Sequence, residues 1–172
     1  MGLDITAYRG LKRIALENES EDDDVQLYIN PEFREQADEI DTGAHYTAGD
    51  SFGFSAGSYI LYGYWREMLA KLAAYVPATA DDARDDYERR WIDRMPYSMG
   101  AWSYDNGPFV ELICFSDCEG VIGPVTSAKL AKDFADFQAN ADEHPDANFR
   151  RKYAEWRKAF EMAADNGAVS FH

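Results

Sequence analysis

Several short segments of the chain show the residue pattern of β-strands. Apolar and polar residues alternate over residues 3–8, which predicts a strand with one buried face. Residues 25–29 form a second strand-like run, and residues 10–16 fit either a further strand or a short helix. Residues 109–115 are mostly apolar, which predicts a central strand, and residues 168–171 fit a short edge strand.

Helical periodicity dominates the rest of the chain. Apolar residues recur every three to four positions over residues 59–76, 124–141 and 146–165. Residues 81–94 carry acids early and arginines late, as suits the helix dipole, whereas residues 41–58 contain four glycines and are predicted to form loops. Because strands and helices do not alternate regularly, the pattern predicts an α+β fold. We expect a small, mostly antiparallel sheet of three to five strands packed with about four helices.

Length and composition predict one domain, residues 1–172, with an acidic, loop-rich segment at residues 17–58. The chain is 46% hydrophobic and 15% aromatic, enough for a packed core without metal ions or disulfides. Cys114 and Cys118 have three residues between them, unlike the C-x-x-C of redox and zinc sites, which indicates a reducing compartment. No signal-peptide pattern or membrane-length apolar run occurs, so we expect a cytoplasmic protein.

The negative charge is concentrated in one early segment. The chain carries a net charge of −15, from 32 acidic and 17 basic residues. Residues 17–41 hold eleven acids and one base, a net of −10, so the other residues contribute only −5. A strongly acidic protein is not expected to bind nucleic acid directly, because neutralising phosphates requires a basic surface.

The acidic segment has two interpretations that the sequence leaves open. It is either a surface for a basic partner or a loop docked on the basic run of residues 150–152. That run consists of Arg150, Arg151 and Lys152. The candidate binding residues of the segment are Glu21, Asp22, Asp23 and Asp24.

The loop at residues 116–123 is the second candidate binding site. It is predicted to connect a central strand to a helix that begins at Pro124, and sites are often built on such loops. Asp117, Cys118 and Glu119 crowd into it. The two carboxylates disfavour a reactive thiolate between them, and they are too few to hold a metal ion unless distant groups join them. In the structural alternative the acids favour the following helix N-terminus and a glycine forms the turn.

Two serine motifs are similar to those of hydrolases but lack their context. Residues 53–57 spell G-x-S-x-G, and Ser55, Asp117 and His144 follow the chain order of an α/β-hydrolase triad. No buried strand is predicted before this motif, and the chain before it is too short for the preceding sheet. The Gly-Asp-Ser at residues 49–51 lacks its D-x-x-H partner. We therefore predict no catalytic residues, no metal site and no cofactor.

The chain resembles a family of uncharacterised proteins from bacteriophages and prophages. The resemblance rests on MGLDITAY at residues 1–8, GSYILYGYWREMLAKLAAY at residues 57–75, and FSDCEGVIGPVTSAKLAKDFADF at residues 115–137. The block SDCEG-x-IGP is its most distinctive element. The resemblance implies a phage-borne protein that acts in the host cytoplasm, and it implies no particular activity.

The leading hypothesis is a phage-type accessory protein without enzymatic activity, whose acidic surface binds a basic surface of a host protein. Countering host defence and mimicking DNA are roles of this kind. The alternative is a small enzyme or ligand-binding domain centred on residues 117–119, with His45, His144 or the aromatic residues of 97–109 converging on a cavity there. A third option is an assembly component, which would expose a large apolar patch.

Overall fold

The computed structural model describes residues 2–14 and 24–172, and its strands form two antiparallel sheets. The strands are β1 (Gly2–Arg9), β2 (Lys12–Ile14), β3 (Val25–Gln26), β4 (His45–Thr47), β5 (Asp50–Ser58), β6 (Gly120–Ile122) and β7 (Ala168–Phe171). The larger sheet has the order β5-β1-β7-β6, and the smaller has the order β2-β4-β3.

The described residues also form seven α-helices. They are α1 (Tyr59–Leu72), α2 (Asp86–Arg94), α3 (Pro96–Ala101), α4 (Val110–Ile113), α5 (Pro124–Asp136), α6 (Gln138–Asp142) and α7 (Ala147–Ala163), with 3-10 helices at Pro31–Gln36 and Ala80–Asp82. The longer helices α1, α2, α5 and α7 lie within the four predicted ranges. The predicted α+β fold with a small antiparallel sheet is confirmed. Within the described residues, no helix combines the length and apolar character of a membrane span.

One large hydrophobic cluster lies between the larger sheet and α1, α5 and α7. The buried face of β1 carries Leu3, Ile5 and Ala7, as predicted. Trp156 on α7 lies fully buried against Tyr62 and Trp65 of α1, with ring centroids 5.6 and 5.5 Å away. The aromatic residues of the helices therefore build the core, where large rings contribute most buried area.

The predicted central strand at residues 109–115 is wrong. The chain forms the short helix α4 there, after Phe109 adopts a left-handed φ of 60°. The Phe109 amide donates to Asp133 Oδ2 at 2.8 Å, and its carbonyl accepts from the Ile113 amide at 2.9 Å. A short apolar run can be buried either as a strand or as a helical turn, so the pattern of residues could not distinguish them.

The predicted loop at residues 41–58 is also wrong, because β4 and β5 lie within it. Despite its glycines, β5 pairs with β1 from Gly2↔Ser58 to Arg9↔Asp50, with a bulge at Leu3/Asp4. Pairing with a neighbouring strand has overridden the low strand propensity of glycine here. The strand predicted at residues 168–171 exists as β7, but it is internal, between β1 and β6, instead of at the edge. The strand predicted at residues 25–29 is limited to β3.

Candidate functional site

Of the four candidate residues of the acidic segment, the structure describes only Asp24. Glu21, Asp22 and Asp23 lie outside the described residues. The Asp24 carboxylate is in a part-buried hydrogen bond with Nδ1 of His45 on β4, and their side-chain exposures are 13% and 18%. Asp24 therefore connects the start of β3 to β4, and its side chain is mostly buried.

The later part of the acidic segment docks on the second candidate site. The Asn30 side chain donates to the Glu119 carbonyl at 3.1 Å, and the Gly123 amide donates to the Gln36 carbonyl at 2.7 Å. We call residues 30–41 the docked segment. Two regions that are far apart in sequence, and that were predicted separately, thus form one continuous surface.

The docked segment also supplies the N-terminal cap of α5. The Asp38 carboxylate accepts hydrogen bonds from the Val125 and Thr126 amides at 2.6 and 2.9 Å. The residue at the N-cap position is Gly123, which has no side chain to perform this role. The carboxylate that caps this helix end by hydrogen bonds is therefore that of Asp38, and the electrostatic role expected for Asp117 and Glu119 stays a prediction.

Two glycines of the SDCEG-x-IGP block permit this contact. A side chain on Gly123 would place its Cβ 1.9 Å from the Asp38 carbonyl oxygen, far inside van der Waals contact. Gly120 has a φ of 142° and would place a Cβ 2.9 Å from the Phe115 ring, consistent with the turn role predicted for it. The most distinctive sequence block of the chain therefore holds the docked segment.

The basic run of residues 150–152 has other contacts. Arg151 pairs with Glu155 at 2.7 Å, and Arg150 donates to the His144 carbonyl. Lys152 pairs with Glu155 at 2.8 Å and also donates to the Ser55 carbonyl on β5. The described part of the acidic segment therefore docks on residues 119–126 and not on this run.

A cavity of about 280 Å³ lies where the docked segment meets the loop. It is lined by Asn30, Glu32, Phe33, Arg66, Trp102, Phe115, Ser116, Asp117 and Cys118. Of the predicted aromatic cluster at residues 97–109, Trp102 reaches this cavity and is 56% exposed, whereas Phe109 is fully buried in the core. Among the described lining residues there is no histidine.

Arg66 of α1 is a lining residue that the sequence did not indicate. Its Nη1 donates to the carbonyls of Ile113 and Phe115 at 3.1 and 2.8 Å. The guanidinium also lies over the Tyr62 ring, 4.5 Å from its centroid. A lone arginine on a helix carries no pattern that would predict such a position, because the carbonyls that fix it come from elsewhere in the chain.

The two cysteines differ in their surroundings. Burial is the main cause that raises the pKa of the Cys114 thiol to about 12, so this thiol is protonated at neutral pH. Cys118 is exposed at the cavity, and its sulfur lies 3.5 Å from Ser116 Oγ. The same hydroxyl oxygen accepts from the Cys118 and Glu119 amides at 3.3 and 3.2 Å, which fixes the loop.

The structure gives no support to the hydrolase motif. Ser55 lies on β5, where its hydroxyl is 3.5 Å from the Leu3 carbonyl oxygen. His144 lies against the Phe149 ring and accepts from the Asp146 amide at 3.2 Å. Within the described part of the chain no group of three or more metal-ligating side chains occurs.

Comparisons with protein-family models, with curated proteins and with solved structures gave no match.

Proposed function

We propose that this protein is a non-enzymatic interaction protein that binds a basic surface of a partner protein. The observation that carries the proposal is the contact between the docked segment and the loop, because it places two acidic stretches of the chain next to each other. We call the exposed carboxylates of these two stretches the acidic face, which consists of Glu32, Glu35, Glu39, Asp117 and Glu119. All five are exposed.

The acidic face keeps unpaired negative charge among the described residues, although Arg34 lies in the docked segment and donates to Thr42 Oγ1 at 2.7 Å. None of its five carboxylates has an ion-pair partner there, whereas acids elsewhere on the helices pair with bases four residues away, as in Arg84–Glu88 and Arg157–Glu161. Unpaired charges of one sign attract a complementary partner and raise the rate of association. A host protein that binds nucleic acid has a surface of the required sign, which agrees with the phage origin that the sequence resemblance implies.

A second candidate is a small ligand-binding domain at the same cavity. The presence of Trp102 beside the loop favours it, since an aromatic wall was expected for such a site. We propose a binding role for this cavity instead of a catalytic one. Ser116 and Cys118 line it, but the described lining residues include no histidine that could act as their base.

Affinity purification from the host, with the full chain as bait, tests the leading proposal. The bait is compared with a face variant, Glu32→Gln, Glu35→Gln and Glu39→Gln, and with a control variant that removes the same charge elsewhere, Asp4→Asn, Asp93→Asn and Glu143→Gln. We expect a partner that roughly 0.5 M salt releases, that the control variant retains, and that the face variant recovers at least about tenfold less well. Equal recovery by both variants, or a partner insensitive to salt, would contradict the proposal.

A further inference from the structure

We propose that the cavity at residues 115–118 binds the guanidinium group of an arginine side chain from the partner protein. This inference rests on the proposed function and names the contact at the centre of the acidic face. Glu32, Asp117 and the exposed Trp102 line one and the same cavity, and they supply two carboxylates and an indole. These are the groups that recognise a planar cation.

Trp102 supplies the apolar part of the contact. Trp102 is 56% exposed although tryptophan is usually largely buried, and it also lines a second groove of about 610 Å³. An exposed tryptophan between two depressions is the residue type that most often anchors a protein interface. A cation over the face of an indole ring is stabilised by the ring quadrupole.

The charge of the cavity favours a cation. Its charged lining residues are Glu32, Asp117 and Arg66, which together give a net charge of −1. Arg66 is held in place, because it donates to two backbone carbonyls and lies over Tyr62. The carboxylates of Glu32 and Asp117, in contrast, are exposed and have no ion-pair partner in the described chain.

The size and rigidity of the cavity suit one side chain. Its volume of about 280 Å³ is below the roughly 300–1,000 Å³ of pockets for drug-sized ligands. Phe33 and Phe115 line it with ring centroids 4.9 Å apart, and Asn30, another lining residue, is held by its hydrogen bond to the Glu119 carbonyl. A cavity that is already formed loses less conformational entropy when a ligand binds.

Arginine fits the cavity better than lysine does. A guanidinium can stack flat on an indole and donate two parallel hydrogen bonds to a carboxylate, whereas an ammonium is a compact, strongly hydrated charge. The same carboxylates would repel a phosphate or a carboxylate ligand. The occupant we assign is therefore an arginine within a basic segment of a partner protein.

The test uses the purified full chain and three capped tripeptides, Gly-Arg-Gly, Gly-Lys-Gly and Gly-Gln-Gly. Each is titrated while the indole N–H signal of Trp102 and the amide signals of residues 116–119 are followed by NMR. We expect saturable shifts with the arginine peptide, weaker binding of the lysine peptide, and none of the glutamine peptide. Glu32→Gln with Asp117→Asn raises the Kd at least about fivefold, and Glu143→Gln leaves it unchanged. Equal shifts with the glutamine peptide, or no shift at Trp102, would overturn the proposal.

Trp102→Ala separates this inference from the proposed function. Because Trp102 is exposed, the variant keeps its fold, which the dispersion of its NMR spectrum verifies. If the inference holds, Trp102→Ala no longer binds the arginine peptide in the NMR titration. As bait in the affinity purification it also recovers at least about fivefold less of the host partner. A partner that depends on Glu32, Glu35 and Glu39 but is unaffected by Trp102→Ala would overturn the arginine site and leave the acidic face intact. The arginine site would also be overturned if the cavity bound an acidic peptide instead of the arginine peptide, and if Arg66→Gln abolished that binding.

Discussion

Gly123 is the residue at which the fold and the candidate site depend most directly on each other. The approach of Asp38 leaves no room for a Cβ atom, and the nearest atom, the Asp38 carbonyl oxygen, is a backbone atom that cannot rotate away. Any side chain at residue 123 must therefore displace the docked segment or the start of α5. The glycine is required for close packing and not for a left-handed backbone, since its φ is −80°.

We predict that Gly123→Ala destabilises the protein by about 1–3 kcal/mol, as overpacking in well-packed regions does. Gly53→Ala is the matched control, because a Cβ there meets the Ile5 carbonyl oxygen at an ordinary 3.7 Å. Urea unfolding followed by circular dichroism measures both. If Gly123→Ala and Gly53→Ala had the same unfolding midpoint, the close approach of Asp38 to Gly123 would be wrong.

At the scale of elements, α5 receives its cap from a distant part of the chain. Asp38 lies 87 and 88 positions before the amides of Val125 and Thr126 that it binds. A local cap, such as Asp146 on α7, stabilises only its own helix. The Asp38 cap also fixes the docked segment, so that helix stability and the position of the acidic face are linked.

We predict that Asp38→Ala and Asp146→Ala each cost about 0.5–2 kcal/mol, the usual value of an N-cap. Asp38→Ala alone should also release the docked segment. Hydrogen exchange of the Gly123 amide, which donates to the Gln36 carbonyl, reports this release. Exchange there should become faster in Asp38→Ala and stay unchanged in Asp146→Ala. Unchanged exchange in Asp38→Ala would show that the segment is held without the cap.

The sequence predicted those elements whose burial repeats along the chain. The periodic apolar residues of α1, α5 and α7 and the alternation in β1 each identify a buried face from local sequence alone. The same reasoning failed at residues 109–115, where the choice of helix depends on Asp133, and at β5, where pairing with β1 outweighs the low strand propensity of its two glycines.

The candidate site was predictable in its parts and not in its assembly. The acidic segment is identified by its excess of acidic residues, and the loop at residues 117–119 by its acids and by the glycines and proline that follow it. Their contact depends on Asn30, Asp38 and Gly123, whose partners are more than 80 positions distant. Arg66 was missed because the carbonyl groups that it binds are 47 and 49 positions away. Contacts between residues that are so far apart in the chain leave no periodic signal in a single sequence.

At the scale of the whole molecule, buried tyrosines set the alkaline limit of stability. Burial is the main cause that raises the pKa of Tyr62, Tyr75 and Tyr153 above the ordinary value of 10.0. A pKa that is higher in the folded state means that folding favours the protonated form. The associated stability is complete below pH 10 and is lost as the pH rises above that value.

We predict that the free energy of unfolding in urea falls steeply above about pH 10. Tyr62→Phe is the informative variant, because the fully buried Tyr62 hydroxyl has no hydrogen-bond partner among the described residues. It should leave stability at pH 8 within about 0.5 kcal/mol of the wild type and reduce the loss at pH 11. An identical pH dependence in the variant would contradict the assignment of this loss to buried tyrosine ionisation.

The position of β7 has a consequence for how the chain acquires its structure during synthesis. β7 lies between β1 and β6, and Ile5 pairs with Phe171 across 166 positions of sequence. While the ribosome is still synthesising residues 168–171, β1 can pair with β5 on one side but has no β7 to pair with on the other. The centre of the larger sheet can therefore form only after these residues have left the exit tunnel. The hydrogen bonds within helices α1 and α5 are local and can form earlier, so we expect closure of the sheet to be a late, slow event of folding.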